Sequence, residues 1–483
     1  MDGTRANLPA ELWRWDALDL AAAIRERQIS ACDAVQASLD RLAAVNPTIN
    51  AVIDVQAEEA LKAADTADAK VKRGKALGPL HGVPVTIKDL ADQKGRATVD
   101  GVAAFKTRIA TEDSPIVTNW RNAGAIIIGR TNTPAFSSRW DTDNAVYGRT
   151  WNPWTRTRTP GGSSGGAAAA LAVGIGALAH GSDLGGSIRY PAMCCGVAGI
   201  RPTQGRVPRH NSTAMGAIPL FANLIAVNGV LARHVRDLRV GLATMSIGDA
   251  RDPLWVPAPL DGPPPPRPIK VALVTESPGL FVHPAIRDAV LQTGKVLAEA
   301  GYAVEQVQPP SIEAASHLRA KLSAADIRNR VMDVFRKLGD PGLVRHVQLF
   351  LDVAPRTQDQ VDYQDAMAAV MAHRQAWDQF LAQYPLIVGP CSGDLPVEIG
   401  FETRDEDTMR HLLAAQALMT TVNLLGLPAV AVPTGTTSAP DAPHGLPLGV
   451  QIIAPRFRED LALDAAEIVE ARLGIATPID PVR

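Results

Sequence analysis

The spacing of apolar and polar positions changes character near residue 78. Before it, apolar residues recur every three to four positions, the period of an amphipathic helix. Leu20 and Ile24 anchor a predicted helix over 16–27. Val35, Leu39 and Leu42 share one face of a second over 31–45, with Ser30 as N-cap and Asn46-Pro47 as its end. A third helix is predicted over 57–73 and closes at Gly74. Beyond residue 78, short apolar runs take over. Those at 83–87, 125–128, 270–275, 303–308, 386–390, 429–432 and 449–453 read as strands. Helical periods over 114–123 and 283–300 separate some of them, and the Ala-rich 167–179 reads as another helix. Residues 311–384 are helical and polar, a candidate cap over a site. Strands alternating with helices predict an α/β sheet covered by helices.

Length and charge narrow this picture. A chain of 483 residues is long enough for about three domains, although α/β enzymes often run longer as one unit. One Pro-rich stretch, 257–268, holds four consecutive prolines from Pro263 to Pro266. It must be extended, either dividing two domains or crossing the surface of one. The 48 basic and 50 acidic residues leave a net charge of −2, so nothing in the bulk charge asks for nucleic acid or an anionic membrane. Two stretches lack charge, 159–182 and 211–232. The apolar part of the first, 167–179, is too short to span a bilayer, and the second carries Pro219, Asn223 and Asn228. Neither is expected to cross a membrane. The first 18 residues have acids, a proline and no apolar run, so no signal peptide is expected. The four cysteines are Cys32, Cys194, Cys195 and Cys391, with no CxxC pair and no HExxH. No zinc site is signalled, and a reducing, cytoplasmic setting is expected.

Candidate chemistry concentrates in TPGGSSGGAAAALAVGIGALAHGSDLGGSIRYP, residues 159–191. Two Gly/Ser clusters flank an apolar segment. Small residues there let backbone approach a ligand and expose N–H groups, which suits a serine nucleophile beside an oxyanion hole. A flexible Gly/Ser linker is the plain alternative for GGSSGG. Gly161-x-Ser163-x-Gly165 fits a nucleophile-elbow pattern, but 156–160 makes a poor preceding strand. Gly174-x-Gly176-x-x-Ala179 fits a loose dinucleotide fingerprint, but it follows a helical pattern and not a strand. Only 11 of the 48 basic residues are lysines, and Lys88 ends the β-branched run of HGVPVTIKDL. A lysine buried there would lose its charge and could act as a base; pairing with Asp89 is the plain alternative. His180 is a candidate partner for a serine. Cys194 and Cys195 are candidates for a Cys-based amidase or for simple packing.

Taken together, these segments resemble the amidase signature family of serine hydrolases. The resemblance covers most of the chain: NPTINAV, GPLHGVPVTIKDL, AGAIIIGRTNTPAF, the long stretch from TPGGSSGG to GIRPTQGRVP, NLLGLPAVAVPTG and GLPLGVQIIAPRFRED. It implies one α/β/α sandwich domain over 1–483, with a central mixed, largely parallel sheet. Within it, 1–75 would form N-terminal helices, 78–235 the signature core, and 311–384 would border a substrate funnel. The implied machinery is a Ser–Ser–Lys triad: Ser187 as nucleophile, Ser163, behind a cis peptide bond, as proton relay, and Lys88 as base. Backbone N–H groups of Leu184, Gly185, Gly186 and Ser187 would form the oxyanion hole. Ser164, Asp183 and Arg189 would support the loops. The resemblance implies a small-molecule amide substrate, no metal or organic cofactor, and a homodimer as a common assembly.

It also admits carbamate or ester cleavage, and an A-type component of a tRNA-dependent amidotransferase that draws ammonia from glutamine. Glutamine-pocket segments expected between 310 and 400 are not found. A scaffold on a dead amidase fold is disfavoured by the presence of Lys88, Ser163 and Ser187. Trp140, Trp151, Phe136 and Met215 are candidate pocket residues, with structural roles equally open.

Overall fold

A computed structural model of the chain describes residues 9–216, 219–475 and 477–482. The leader-free reading of the N-terminus rests in part on residues 1–8, and the stretch 211–232 includes 217–218; these lie outside the described residues.

The helix expected over 31–45 starts where foreseen. Ser30 caps it by accepting from the Asp33 N–H, and Asp33 returns the bond to the Ser30 N–H. It runs on, however, to Ile49, with Pro47 inside its last turn. The Asn46 side chain bonds three backbone groups of Ala51 and Val52, which ties down the turn that follows. Helices Ala17–Arg25 and Ala57–Lys72 match the other two N-terminal expectations.

Eleven strands form one sheet: β1 (Val52–Val55), β2 (Pro84–Lys88), β3 (Ile126–Thr131), β4 (Leu178–Asp183), β5 (Ala198–Arg201), β6 (Val227–Ala232), β7 (Lys270–Leu273), β8 (Ala303–Gln306), β9 (Leu386–Pro390), β10 (Ala429–Ala439) and β11 (Ala442–Ile453). Their spatial order is β1-β3-β2-β4-β6-β5-β10-β11-β9-β7-β8. The sheet is mixed, as expected, but not largely parallel. Only β2–β3, β2–β4, β7–β8 and β7–β9 pair in parallel; the other neighbours are antiparallel. Antiparallel neighbours need no crossover, so β10 and β11 form a long hairpin at the middle. Strands β2, β3, β5, β6 and β9 are buried at every residue, which explains why they are mostly apolar and do not alternate.

Strands from both sides of the Pro-rich 257–268 meet in this sheet, through the pairing of Ala429–Ala431 with Gly199–Arg201. The stretch itself is pinned to the body. Arg206 donates to the carbonyls of Ala258 (2.7 Å) and Pro259 (2.9 Å).

The clearest departure is in 167–179, expected as one helix. The helix is Gly165–Ala172, and Leu178 opens β4 between β2 and β6. Gly174 and Gly176 take φ values of +87° and +72° in the turn between them. Alanine favours helix by propensity, and the two glycines overrule it. The region 311–384 is helical as expected, as Ile312–Asp326, Met332–Leu338, Pro341–Val353 and Gln360–Gln383, with a π-helical turn at Ile327–Val331. No described helix is long and apolar enough to cross a membrane.

Candidate active site

Parallel β2 and β4 end side by side, at Lys88 and at Ser182-Asp183. Carboxyl ends of parallel strands are where α/β sheets open clefts. Lys88 is fully buried, and its Nζ meets three hydroxyls: Ser163 Oγ at 2.7 Å, Ser182 Oγ at 3.0 Å and Ser164 Oγ at 3.1 Å. An ammonium would donate to all three. A neutral amine donates two protons and accepts one, so one serine must then point its proton at Nζ. Burial pushes the lysine well below its ordinary pKa, against the pull of Asp100 and Asp183. The alternative pairing with Asp89 does not occur; Asp89 pairs with Arg130 at 3.0 Å.

Ser163 and Ser164 stand at the start of helix Gly165–Ala172, and the Gly162–Ser163 peptide bond is cis, as expected. The glycine is required: a Cβ on Gly162 would lie 2.5 Å from the Arg139 carbonyl oxygen. Ser187 precedes helix Arg189–Cys195, and its carbonyl accepts from the Ser164 N–H at 3.2 Å. That bond joins the two serine clusters. Ser163, Ser182 and Ser187 all line one cavity of about 790 Å³.

The loop from Asp183 to Ile188 is held from both sides. Asp183 accepts from the Gly186 N–H (2.9 Å), the Ile188 N–H (3.3 Å), Arg189 Nε (3.0 Å) and Asn423 Nδ2 (2.7 Å). Burial opposes its charge, but Arg189 and Arg201 outweigh it and hold the carboxyl below the usual range. Arg189 in turn donates to Gln451 (2.8 Å) and Asn423 (2.9 Å). On the other side, Trp140 Nε1 donates to the Gly185 carbonyl at 2.8 Å and Arg319 to the Leu184 carbonyl at 3.4 Å. Glu402 holds Trp140 by accepting from its N–H at 2.9 Å.

These bonds bear on the expected oxyanion amides. The Gly186 amide donates to Asp183 Oδ1 at 2.9 Å. The amides of Leu184, Gly185 and Ser187 have no acceptor among the described residues. Gly186 is needed for shape: its φ is +93°, and a Cβ would meet Met419 at 2.1 Å.

Other candidates fall outside this cluster. His180 bonds Asn228 at 3.2 Å, and burial drives its pKa down to about 3. Cys194 and Cys195 are buried, and Cys195 donates to the Pro160 carbonyl. Trp151 stacks under Arg156 instead of lining the cavity, whereas Phe136, Trp140 and Met215 line it. Three residues had no sequence signal and belong here. Ser182 contacts Lys88, Arg319 holds the loop, and Asp100 lines the cavity near Lys88. The far wall is apolar and aromatic, with Phe105, Phe335, Val347 and Phe350. Among the described residues no group of three or more His, Cys, Asp or Glu is arranged to hold a metal ion.

Comparison with known proteins fits this geometry. The Amidase family profile matches residues 33–463. An indoleacetamide hydrolase of Bradyrhizobium diazoefficiens is 42% identical over 465 residues, which cover 96% of this chain and 87% of that protein. The A-type component of the glutamyl-tRNA(Gln) amidotransferase of Acidothermus cellulolyticus is 32% identical over 494 residues, 96% of this chain and 95% of that protein. The solved structure of 6-aminohexanoate cyclic dimer hydrolase complexed with substrate superposes with a TM-score of 0.80 at 27% identity, covering 96% of this chain and 98% of that one. With a profile match over most of its length and the same fold, the chain belongs to the Amidase family, the amidase signature enzymes, and is a hydrolase of amide C–N bonds.

Proposed function

We propose that the protein hydrolyses the amide of an arylacetic acid, of the indole-3-acetamide type, through an acyl-enzyme on Ser187. The observation that carries the reading is a desolvated lysine amine 2.7 Å from the hydroxyl of Ser163, which lines a cavity that also holds Phe105, Phe136, Phe335 and Phe350. The 42% identity to an indoleacetamide hydrolase supports the acyl class.

Neutral Lys88 accepts the Ser163 proton as Ser163 takes the proton of Ser187. Ser187 Oγ attacks the amide carbonyl carbon, and the N–H groups of Leu184, Gly185 and Ser187 receive the oxyanion. The proton returns through Ser163 to the leaving nitrogen, the C–N bond breaks, and ammonia or an amine departs. Water then attacks the acyl-enzyme, delivers its proton along the same path, and frees the acid. No step in this sequence calls for a metal or an organic cofactor. Carbamates and esters of the same acyl group would form the same intermediate. The proposal includes a cytoplasmic setting, which suits four unbridged cysteines, and a homodimer. The glutamine-using reading has relatives at 32% identity but no feature of this cavity in its favour.

Release of ammonia from indole-3-acetamide, phenylacetamide and L-glutamine tests the reading. We expect kcat/KM for the arylacetamides to exceed that for glutamine by about 100-fold or more. Preference for glutamine, or activity only with added partner proteins, would contradict it.

A further inference from the structure

Three carboxylates that the mechanism leaves unused line the cavity, Asp100, Asp252 and Asp326, and of these Asp252 is taken up by the backbone amides of Arg209 and Leu254. Asp100 is half-buried and lines the cavity among Phe105, Phe136 and Phe335. Its Oδ1 accepts from Ser137 Oγ at 2.7 Å. Because Ser137 gives its proton to the carboxylate, Thr133 must be the donor in the 2.9 Å contact between Thr133 and Ser137. Asp100 Oδ2 accepts nothing from the described residues. Lys88 does not claim it either, since its three contacts are serines. Arg108 acts on it only at a distance and lies over the Phe105 ring.

The backbone around this carboxylate is strained. Asp100, Phe136 and Ser137 have φ values of +47°, +55° and +50°, in the left-handed region that side chains avoid. The Asp100 carbonyl accepts from the Phe136 N–H at 2.9 Å, so the strained segments are bonded to each other. Such outliers persist where surrounding structure over-determines them, and they gather at ligand sites. The aromatic side chains sit on the same segments. Phe136 meets Phe105 edge-on at 5.4 Å and Phe335 at 5.0 Å. A flat ring against these phenylalanines has Asp100 as its polar neighbour.

We propose that Asp100 Oδ2 is a specificity-determining acceptor for an N–H on the aryl part of the acyl group, as in an indole ring. This rests on the arylacetamide reading and names the substrate feature within it. A ligand that lacks this donor leaves Oδ2 unmatched beside the phenylalanines, which weakens its binding. Conversely, an apolar aryl group of equal size forfeits the bond.

The test compares indole-3-acetamide with benzothiophene-3-acetamide, which replaces the ring N–H by sulfur at nearly the same size. For wild type, kcat/KM should favour the indole by about 10- to 100-fold. In Asp100→Ala the ratio should fall to within about threefold of unity. Any effect of Asp100 on the charge of Lys88 falls on both amides alike and cancels in the ratio. Ser137→Ala, which leaves the carboxylate in place but unanchored, should give an intermediate ratio and covers the case in which Asp100→Ala does not fold. A wild-type ratio near one, or an unchanged ratio in both variants, would overturn the inference while leaving the arylacetamide reading intact. Failure of wild type on both amides, with turnover of some other amide, would overturn that reading and this inference with it.

Discussion

Two walls line the cavity, and they are built from different groups. On the wall made by β2, β4 and the serine loops, charge is locked in place. Lys88 is surrounded by three hydroxyls, and Asp183 is held by two arginines, an asparagine and two backbone amides. The opposite wall is built by helices Ile312–Asp326, Met332–Leu338 and Pro341–Val353. It offers Phe335, Val347 and Phe350 alongside Arg319 and Asp326. The hydrogen bonds around Lys88 and Asp183 fix geometry, which bond-making chemistry needs. An apolar helical wall can change side chains without disturbing that geometry, which is what substrate choice needs. Rate thus belongs to the first wall, and selection to the second together with Asp100.

Substitutions on the first wall should cost the most. Ser187→Ala or Lys88→Ala should each lower kcat by about 10⁴-fold or more, because the groups act as one unit; the double variant should lose little further. Losses that multiply in the double variant would break the assignment. Second in size is the response to acid. The proposed base is the neutral amine, so kcat/KM should fall about tenfold per pH unit below the depressed Lys88 pKa and level off above it. A pH–rate profile that rises only at the ordinary lysine pKa would contradict the desolvated base.

Trp140→Phe tests the loop at a smaller scale. It keeps the ring and removes the donor to the Gly185 carbonyl. We expect kcat to fall about fivefold to tenfold with KM nearly constant, since the bond holds the loop proposed to receive the oxyanion. Smallest is Phe335→Leu on the second wall, which should raise KM for arylacetamides roughly threefold and leave kcat almost unchanged. A kcat effect there as large as in Trp140→Phe would erase the distinction between the walls.

The sequence showed the first wall far better than the second. Lys88 ends an apolar β-branched run and the two Gly/Ser clusters stand out, but each had a plain alternative, and it was the family resemblance that joined Lys88, Ser163 and Ser187 into one site. What escaped were roles set by contacts between distant segments. Gly186 reads like its neighbours until Asp183 takes its amide. Ser182 sits in what reads as a polar turn, and only the register of β4 against β2 brings it to Lys88. Asp100 and Arg319 meet the site across intervals of the chain that no local pattern spans. Strand β4 itself was hidden because Ala and Gly dominate its start and the preceding turn. The expected parallel character of the sheet also gave way, since strand direction follows from connections that short apolar runs do not encode.

The central claim is that Lys88, through Ser163, activates Ser187. It is tested most directly by intact mass after treatment with a fluorophosphonate probe. The account predicts one adduct on wild type, mapped to Ser187, absent in Ser187→Ala and formed much more slowly in Lys88→Ala and Ser163→Ala. An adduct that persists in Ser187→Ala, or that forms at the wild-type rate in Lys88→Ala, would contradict it.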